Sequence, residues 1–298
     1  MDLSDVARRG EVPDLRTRRI GSIARIGLTP VKGMAHLPRP SVDLTMRGPR
    51  EDRAFCLVDV TTDRVLRTVD NDSLLACRAT WVPPVLTVAT PLGEATVTVT
   101  VSATSSVRRS ATRVRSADYW GRTVSLVEVG GPCDALLSAY LNRPVALCQV
   151  VRASKDKPRG VGSHHPPGGS GVVWGGAVSL VTTSSVAEVA RRTGSGTDDG
   201  ARFRATFVVD TGSSPPFAED SWTGHRLRIG DAVVGVRGPQ PRCAVIDRRP
   251  GAGGRDVEAL KALARDRRVG KEIVFGVDAD VVSPGHVWLG SPVLDEAP

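Results

Sequence analysis

Cysteines, aromatic residues and lysines are all scarce in this chain of 298 residues. The five cysteines are an odd number without CxxC pairs or zinc-type spacing, which argues against a disulfide scaffold and for a reducing compartment. Aromatic residues make up 4% of the chain, so its cores must be built from Val, Leu, Ile and Ala. Nearly all the basic residues are arginine, which makes forked contacts with phosphate and carboxylate. The net charge of +8 is typical of an arginine-rich surface, and an anionic ligand or partner is the alternative.

Long apolar runs and targeting signals are also missing. No stretch approaches the ~20 apolar residues that a membrane-spanning helix needs, and the acidic start of the chain does not resemble a signal peptide. We therefore expect a cytoplasmic protein with no membrane partner. The arginine-rich stretch Arg108–Arg115 lacks interleaved aromatic residues, so we expect a solvated loop there and no nucleic-acid partner.

Many short strand-like segments follow one another along the chain, separated by Pro, Gly and Asp turns. They predict a mainly β (α+β) protein with two β-dominated domains, each a barrel or a sandwich, and three short helices. We expect a loose tail over residues 1–19, a first domain over 20–152 and a second over 153–298. The break near Val150 precedes a Pro/Gly-rich stretch that includes two histidines, for which a loop is favoured over a metal site.

Four elements of the second domain are predicted in more detail. Ser185-x-x-Glu188 is a capping box that would open a helix over Val186–Arg192, with Gly194 ending it. A strand is expected over Phe203–Asp210, and a hairpin over His225–Arg237 that turns at Gly230-Asp231. Asp256 is expected to cap a helix that runs to Arg265, and the chain closes with short strands that turn at Asp278, Pro284-Gly285 and Gly290-Ser291.

The segment Gly238–Asp247 holds the best candidate for a reactive group. Pro239 and Pro241 restrict the backbone and should stop the preceding strand, which would leave Cys243 on a rigid turn. The neighbouring Arg242 favours the thiolate, the form that attacks electrophiles and binds soft metals. Cys243 is thus a candidate metal ligand or sulfur carrier, with a buried structural thiol as the alternative. The remaining four cysteines, Cys56, Cys77, Cys133 and Cys148, are expected to be small packing residues.

The order of short motifs along the chain resembles the MOSC superfamily, named for the C-terminal domain of molybdenum cofactor sulfurase, together with its accompanying N-terminal β-barrel. The first domain contributes two of these motifs and the second domain the rest. The motifs are Thr29-Pro30-Val31-Lys32-Gly33, Glu51–Asp59, Arg202–Val209, Pro216–Trp222, Leu227–Asp231, Pro241-Arg242-Cys243 and Phe275-Gly276-Val277. The resemblance covers roughly residues 20–296, and it implies a β-barrel followed by a MOSC β-barrel with short helices.

The resemblance also implies a cofactor. In reductases of this superfamily, such as the mitochondrial amidoxime-reducing proteins, the matching cysteine binds molybdenum, so Cys243 would be the metal ligand and the catalytic residue. Lys32 and Arg53 would contact the phosphate of the molybdenum cofactor (molybdopterin), and Arg204 its pterin. The residues Thr182, Thr206 and Arg242 would complete the cofactor site.

Three functions follow from these residues. The first is reduction of an N-oxygenated small molecule by oxygen-atom transfer, with electrons from a separate protein because no flavin, haem or iron–sulfur motif is visible. The second is sulfur transfer through a Cys243 persulfide, supplied by a desulfurase partner, with no tightly bound PLP in this chain. The third is cofactor binding without catalysis. The family's usual Asn is replaced by Thr206, its second cysteine by Gln240, and its Thr-containing segment by Ala244–Ile246, and these changes favour the second function.

Overall fold

The computed structural model describes residues 17–99, 113–150, 175–196 and 200–296. The elements of the first half are β1 (Thr17–Leu28), β2 (Leu37–Arg39), β3 (Ser41–Thr45), β4 (Gly48–Pro49), β5 (Phe55–Asp59), β6 (Arg64–Val65), β7 (Arg78–Val82), β8 (Val85–Thr90), β9 (Gly93–Thr98), β10 (Val114–Tyr119), β11 (Arg122–Glu128), α1 (Pro132–Leu141) and β12 (Val145–Val150). A 3₁₀ turn at Asp72–Ala76 lies between β6 and β7.

The elements of the second half are β13 (Val178–Thr182), α2 (Thr183–Thr193), β14 (Phe207–Asp210), β15 (Arg226–Ile229), β16 (Ala232–Pro241), α3 (Ala259–Leu263), β17 (Arg268–Val269), β18 (Glu272–Ser283), β19 (Gly285–Trp288) and β20 (Pro292–Glu296). Three 3₁₀ turns accompany them, at Ala201–Phe203, Ala218–Trp222 and Ala244–Asp247. None of the helices within the described ranges is long and apolar enough to cross a membrane.

Two closed β structures dominate the molecule. Strands β10, β11, β12, β5 and β6 form a closed barrel in the first half. A larger sheet runs β13-β14-β1-β20-β15-β16-β18, and pairing between β13 and β18 closes it into a ring. The expected mainly β fold, a barrel followed by a second barrel with short helices, is confirmed.

The first strand of the chain belongs to the ring of the second half. β1 pairs with β14 on one side and with β20 on the other, and β3 pairs with β19. The ring therefore includes strands from both halves of the sequence. Thr17–Arg19 of the expected tail are already part of β1, residues 1–16 lie outside the described residues, and so does the predicted domain boundary at 152/153.

Alternating burial explains why the strands form closed structures. In β11 the inward residues Val124 and Leu126 are fully buried while Thr123 and Ser125, before and between them, are exposed, so one face of the strand packs inside the barrel. Inside the ring, the buried residues include Ile23, Phe207 and Val234. A separate cluster joins α2 and α3 to the outer face of the ring through Val186, Val189, Phe203, Leu263 and Phe275. The helices thus cover one side of the ring.

Helix α2 begins earlier than the sequence predicts, so the predicted capping box is wrong. The N-cap is Thr182, whose side chain accepts a hydrogen bond from the Ser185 amide. Glu188 does not reach back to the cap, because its carboxylate is held by Arg191 and Arg192. The end of the helix is as predicted: Gly194 takes the left-handed conformation, at φ 68°.

Three other boundaries differ from the predictions. The strand expected over Phe203–Asp210 starts only at Phe207, because Arg204 is in the left-handed conformation, at φ 54°. Asp256 does not cap α3, since its carboxylate pairs with Arg202 at 2.8 Å. No turn occurs at Asp278, which lies within the continuous strand β18. The hairpin turn between β15 and β16 at Gly230-Asp231 is confirmed.

Candidate functional site

Cys243 lies at the end of β16, immediately before the 3₁₀ turn at Ala244–Asp247, with its side chain exposed. β16 continues through both prolines, with Pro239 opposite Val277 and Pro241 opposite Val274, so the prediction that they stop the strand is wrong. The strand accommodates them because its register shifts between Pro239 and Pro241, where a regular ladder hydrogen bond is not needed. The expected rigid support for Cys243 therefore comes from the sheet itself.

The backbone on both sides of Cys243 is held by hydrogen bonds. The Arg242 amide donates to the Ile273 carbonyl at 2.8 Å, and the Cys243 carbonyl accepts from the Ile246 amide at 3.2 Å. The thiol is thus presented to solvent from a fixed position. All five cysteines are free, and the other four are buried. Burial raises the pKa of Cys77 and Cys148 to about 12 and that of Cys133 to about 11, as expected for packing residues.

Lys32 follows the end of β1 and is anchored to β5. Its amide donates to the Phe55 carbonyl at 2.8 Å, and its ammonium lies 4.9 Å from the centre of the Tyr119 ring. Burial, then the charges of Arg53 and Arg204, lower the pKa of Lys32 from 10.5 to about 7. Negative charge on Cys56, and to a smaller extent on Cys243, would oppose this shift, so Lys32 lies within electrostatic range of both arginines and of Cys243.

Arg53 is held by the loop after β1, which also carries Lys32. Its residue adopts the left-handed conformation, at φ 49°, and its amide donates to the Thr29 carbonyl at 2.8 Å. The guanidinium pairs with Asp52, whose other carboxylate oxygen accepts from the Thr29 amide at 2.8 Å. A non-glycine residue in this backbone region costs energy, and such strain is concentrated at functional sites.

Arg204 reaches from the second half of the chain to the same place. It too is left-handed, and its guanidinium donates to the Met34 carbonyl at 2.8 Å and to Thr29 Oγ1 at 3.1 Å. Burial, then the charge of Arg53, lowers the pKa of Arg204 to about 10, while Asp52 and Cys243 act in the opposite direction. In the described part of the chain, no carboxylate forms an ion pair with Lys32 or Arg204.

These side chains define a site, which we call the cationic cluster: Lys32, Arg53 and Arg204, with the exposed Cys243 thiol beside them. The three cations lie near one another, and among the described residues Asp52 is the carboxylate that pairs with one of them, Arg53. Two of the three, Arg53 and Arg204, have the strained left-handed backbone conformation. The arrangement is suited to an anion that would bind next to a thiol.

Arg242, another predicted cofactor contact, directs its guanidinium into the protein rather than toward the exposed Cys243 thiol. Its guanidinium donates to the Phe275 carbonyl at 2.8 Å and to the Phe203 carbonyl at 2.7 Å. The neighbouring Gly276, at φ 69°, packs closely against β13, since a Cβ there would lie 2.5 Å from the Leu180 carbonyl oxygen. Burial lowers the pKa of Arg242 to about 10, with Cys243 acting in the opposite direction. Arg242 thus fixes the strand end that carries Cys243.

The two predicted threonines are buried and make contacts within the protein. Thr182 Oγ1 donates to Glu219 at 2.9 Å and lies 2.7 Å from Ser185 Oγ. Thr206 Oγ1 accepts from the Ser179 amide at 3.2 Å, while the Thr206 amide donates to Ser179 Oγ at 3.1 Å. The structure therefore gathers Lys32, Arg53, Arg204 and Cys243, and gives Thr182 and Thr206 structural partners.

His36 is a site residue that the sequence reasoning missed. Its Nε2 lies 2.9 Å from the Ala205 carbonyl, which can only accept, so Nε2 carries the proton. Nδ1 then accepts from Thr29 Oγ1 at 3.1 Å, and that oxygen in turn accepts from Arg204. This chain of bonds fixes Arg204. A single histidine between two proline-containing stretches carries no signal for such a role.

The described residues offer no metal site built from several protein side chains. No group of three or more His, Cys, Asp or Glu side chains within the described ranges is arranged to hold a metal ion. A metal at Cys243 would therefore have to bring its other ligands with it.

The fold and the site define a protein of two closed β structures with an exposed thiol beside a cationic cluster. Two family models match this chain: the MOSC N-terminal beta barrel domain over residues 20–144 and the MOSC domain over residues 168–294. The chain belongs to the MOSC-domain family, with the N-terminal barrel that accompanies that domain.

Curated relatives match a short part of the chain. It is 44% identical over 64 residues to a molybdenum cofactor sulfurase of Drosophila mojavensis, and 40% identical over 65 residues to molybdenum cofactor sulfurase 2 of Culex quinquefasciatus. Each match covers 22% of this chain and 8% of the relative, so the chain spans only a small part of the length of these proteins.

Solved structures show low similarity. The YUAD protein from Bacillus subtilis is 11% identical, with a TM-score of 0.41, over 94% of this chain and 97% of that chain. YiiM from Geobacillus stearothermophilus is 19% identical, with a TM-score of 0.30, over 49% of this chain and 74% of that chain.

Proposed function

We propose that this protein binds the molybdenum cofactor through Cys243 and the cationic cluster, and that it reduces an N-oxygenated small molecule. The observation that carries the proposal is the convergence of Lys32, Arg53 and Arg204 on the side of an exposed thiol. The membership of the MOSC family and the similarity to molybdenum cofactor sulfurases support it.

The residues present fit such a cofactor. A phosphate would offset the positive charge that lowers the pKa of Lys32 and Arg204, and arginine donates to phosphate through two parallel bonds. A thiolate is a soft ligand suited to molybdenum. Because a metal–pterin brings further ligands of its own, one protein thiol is sufficient.

The chain's own residues would bind and orient the cofactor. Lys32 and Arg53 would hold the phosphate, and Arg204 the pterin, from positions that the Thr29 and His36 hydrogen bonds fix. Cys243 would hold the metal from the end of β16. When bound, the cofactor supplies the two-electron exchange of an oxygen atom.

The overall reaction needs partners outside this chain. Removing oxygen from an N-oxygenated substrate takes two electrons and two protons and releases water. The electrons would come from a separate donor protein.

Cofactor loading tests the proposal. The wild-type protein and the Cys243→Ser and Arg204→Gln variants would be produced in a host that makes the cofactor, and molybdenum and pterin would be measured per folded chain. We expect about one of each in wild type, loss of molybdenum in Cys243→Ser, and loss of both in Arg204→Gln. Arg78→Gln, an exposed arginine on β7, is the matched control and should load fully. Absence of molybdenum and pterin from wild type would contradict the proposal.

A second function, sulfur transfer, is favoured by the contacts of three predicted cofactor residues. Thr182, Thr206 and Arg242 are engaged within the protein, and a persulfide carrier does not need them. Here the Cys243 thiolate would take the outer sulfur of a donor persulfide and release the donor thiolate. An acceptor nucleophile would then take that sulfur and leave Cys243 as the thiolate again.

Mass spectrometry distinguishes this second function. After incubation with a desulfurase and cysteine, alkylation would trap an added sulfur on Cys243 of metal-free protein, and rapid transfer to an acceptor would be required. Failure to form the persulfide would exclude sulfur transfer and leave the cofactor proposal unaffected.

A further inference from the structure

A cleft lies on the outer face of the ring, and none of its lining residues belongs to the cationic cluster. It has a volume of about 780 Å³ and is bounded by β1 and β2 on one side and by α2 on the other. Binding pockets for small molecules typically measure roughly 300–1,000 Å³. The cleft is thus large enough for a small organic ligand.

The floor and walls of this cleft are mainly apolar. Ile26 and Val208 form the side of the ring, and Val186, Ala187 and Ala190 form the facing side of α2. Ala187 is exposed, while the other four are buried beneath it. Two of the lining residues on α2, Ala187 and Ala190, have small side chains.

The charged side chains that line the cleft are all arginines: Arg25, Arg39 and Arg191. No carboxylate is among its lining residues. Arg25 donates to the His36 carbonyl at 3.2 Å, and Arg191 pairs with Glu188 at 2.8 Å. The Arg39 side chain forms neither an ion pair nor a hydrogen bond within the described residues, and its Nε and Nη2 atoms are shielded from solvent.

Arg39 has no carboxylate partner within the described residues, so an anion in the cleft would supply the acceptor that this guanidinium lacks. A carboxylate fits, since bonds between arginine and a carboxylate are charge-assisted and stronger than neutral ones. The apolar walls require that the rest of the ligand be hydrophobic, because they would otherwise bury polar groups without partners.

We propose that this cleft binds a hydrophobic carboxylate, with the carboxylate on Arg39 and the aliphatic body against Val186, Ala187 and Ala190. The site is independent of Cys243, and so of the function proposed above. Arg25 and Arg191 line the same cleft.

Displacement of a fluorescent dye tests the proposal with the full-length protein. Anilinonaphthalene sulfonate, a hydrophobic anion, is bound first, and decanoate is then added. We expect decanoate to displace the dye and decanol, its uncharged analogue, to do so far less well. Arg39→Gln should weaken decanoate binding about tenfold or more, since a hydrogen bond to a charged group contributes about 1.5–3 kcal/mol. Ala187→Trp should abolish binding by filling the cleft.

The controls separate the cleft from general charge effects. Arg78→Gln removes the same charge at an exposed position on β7 and should bind decanoate as wild type does. Equal binding of decanoate by wild type, Arg39→Gln and Ala187→Trp would overturn the proposal. Displacement of the dye by an acidic peptide, here a synthetic copy of residues 1–16, but not by decanoate would assign the cleft to a polypeptide and would overturn it as well.

Discussion

At the scale of single residues, position on the fold distinguishes Cys243 from the other four cysteines. It is exposed at a strand end, while the others are buried and have raised pKa values. The sequence identified Cys243 through its neighbours Pro241 and Arg242, but for a reason that the structure changes. The prolines continue the strand, and Arg242 holds the backbone rather than facing the same space as the thiol.

Lys32 makes anion binding depend on pH. In the free protein its pKa is about 7, so above that pH an anion must bind together with a proton. We predict that the affinity for sulfate, whose charge is constant in this range, is nearly level below pH 7 and falls by up to about tenfold per pH unit above it. Isothermal titration calorimetry at several pH values measures this.

The controls for this prediction are two lysine substitutions. Lys32→Met should remove the pH dependence and weaken binding at pH 6, whereas Lys271→Met, at an exposed position, should leave both unchanged. A wild-type affinity that does not change between pH 6 and pH 9 would refute the role assigned to Lys32.

At the scale of elements, local sequence predicted the mainly β composition and the turn at Gly230-Asp231, because alternation and turn residues act locally. It failed where a distant contact decides the structure. Asp256 pairs with Arg202, 54 residues away, and so does not cap the helix. The left-handed backbone of Arg204 delays the start of β14, and the Arg204 side chain bonds to Thr29 in the loop after β1. Glu188 is a local exception, because it pairs with Arg191 and Arg192 of its own helix.

Thr182 caps α2 and bonds to the buried Glu219, so its substitution should affect stability. We predict that Thr182→Ala lowers the free energy of unfolding by about 1–3 kcal/mol, because the cap is lost and Glu219 loses a donor. Thr183→Ala, next to it and partly exposed, should change stability by less than about 0.5 kcal/mol. Urea denaturation measures both. Unchanged stability in Thr182→Ala, with reduced cofactor content, would instead assign Thr182 to direct cofactor contact.

At the scale of the whole molecule, the halves of the chain are joined at the site itself. β1 is part of the ring, and the bonds among Arg204, Thr29 and His36 connect the loop after β1 to the second half. The resemblance in sequence predicted seven site residues, and the fold brings four of them together. The sequence could not reveal the role of His36, because the hydrogen-bond partners of His36 lie up to 169 residues away.

His36 should make the protein sensitive to acid. Burial, then the charges of Arg25, Arg204 and Arg53, hold the pKa of His36 well below 6.5. Below pH 6.5 the unfolded chain therefore binds a proton that the folded protein does not, and stability falls as pH falls. Between pH 7 and pH 5 this removes about 2 kcal/mol of the free energy of unfolding.

Urea denaturation at both pH values tests this contribution. His36→Gln should be less stable than wild type at pH 7, because it loses a buried hydrogen bond, but should lose about 2 kcal/mol less on going to pH 5. His225→Gln, which removes a partly exposed histidine paired with Asp295, is the matched control. Equal acid losses in wild type and His36→Gln would show that His36 is not the group responsible.

The central claim is that Cys243 and the cationic cluster hold one ligand, the molybdenum cofactor. Crystals of protein produced in a cofactor-making host, measured at the molybdenum absorption edge, test it most directly. We predict one anomalous peak within bonding distance of Cys243 Sγ, with phosphate density against Lys32 and Arg53. A peak elsewhere, or none in protein that contains molybdenum, would contradict the account.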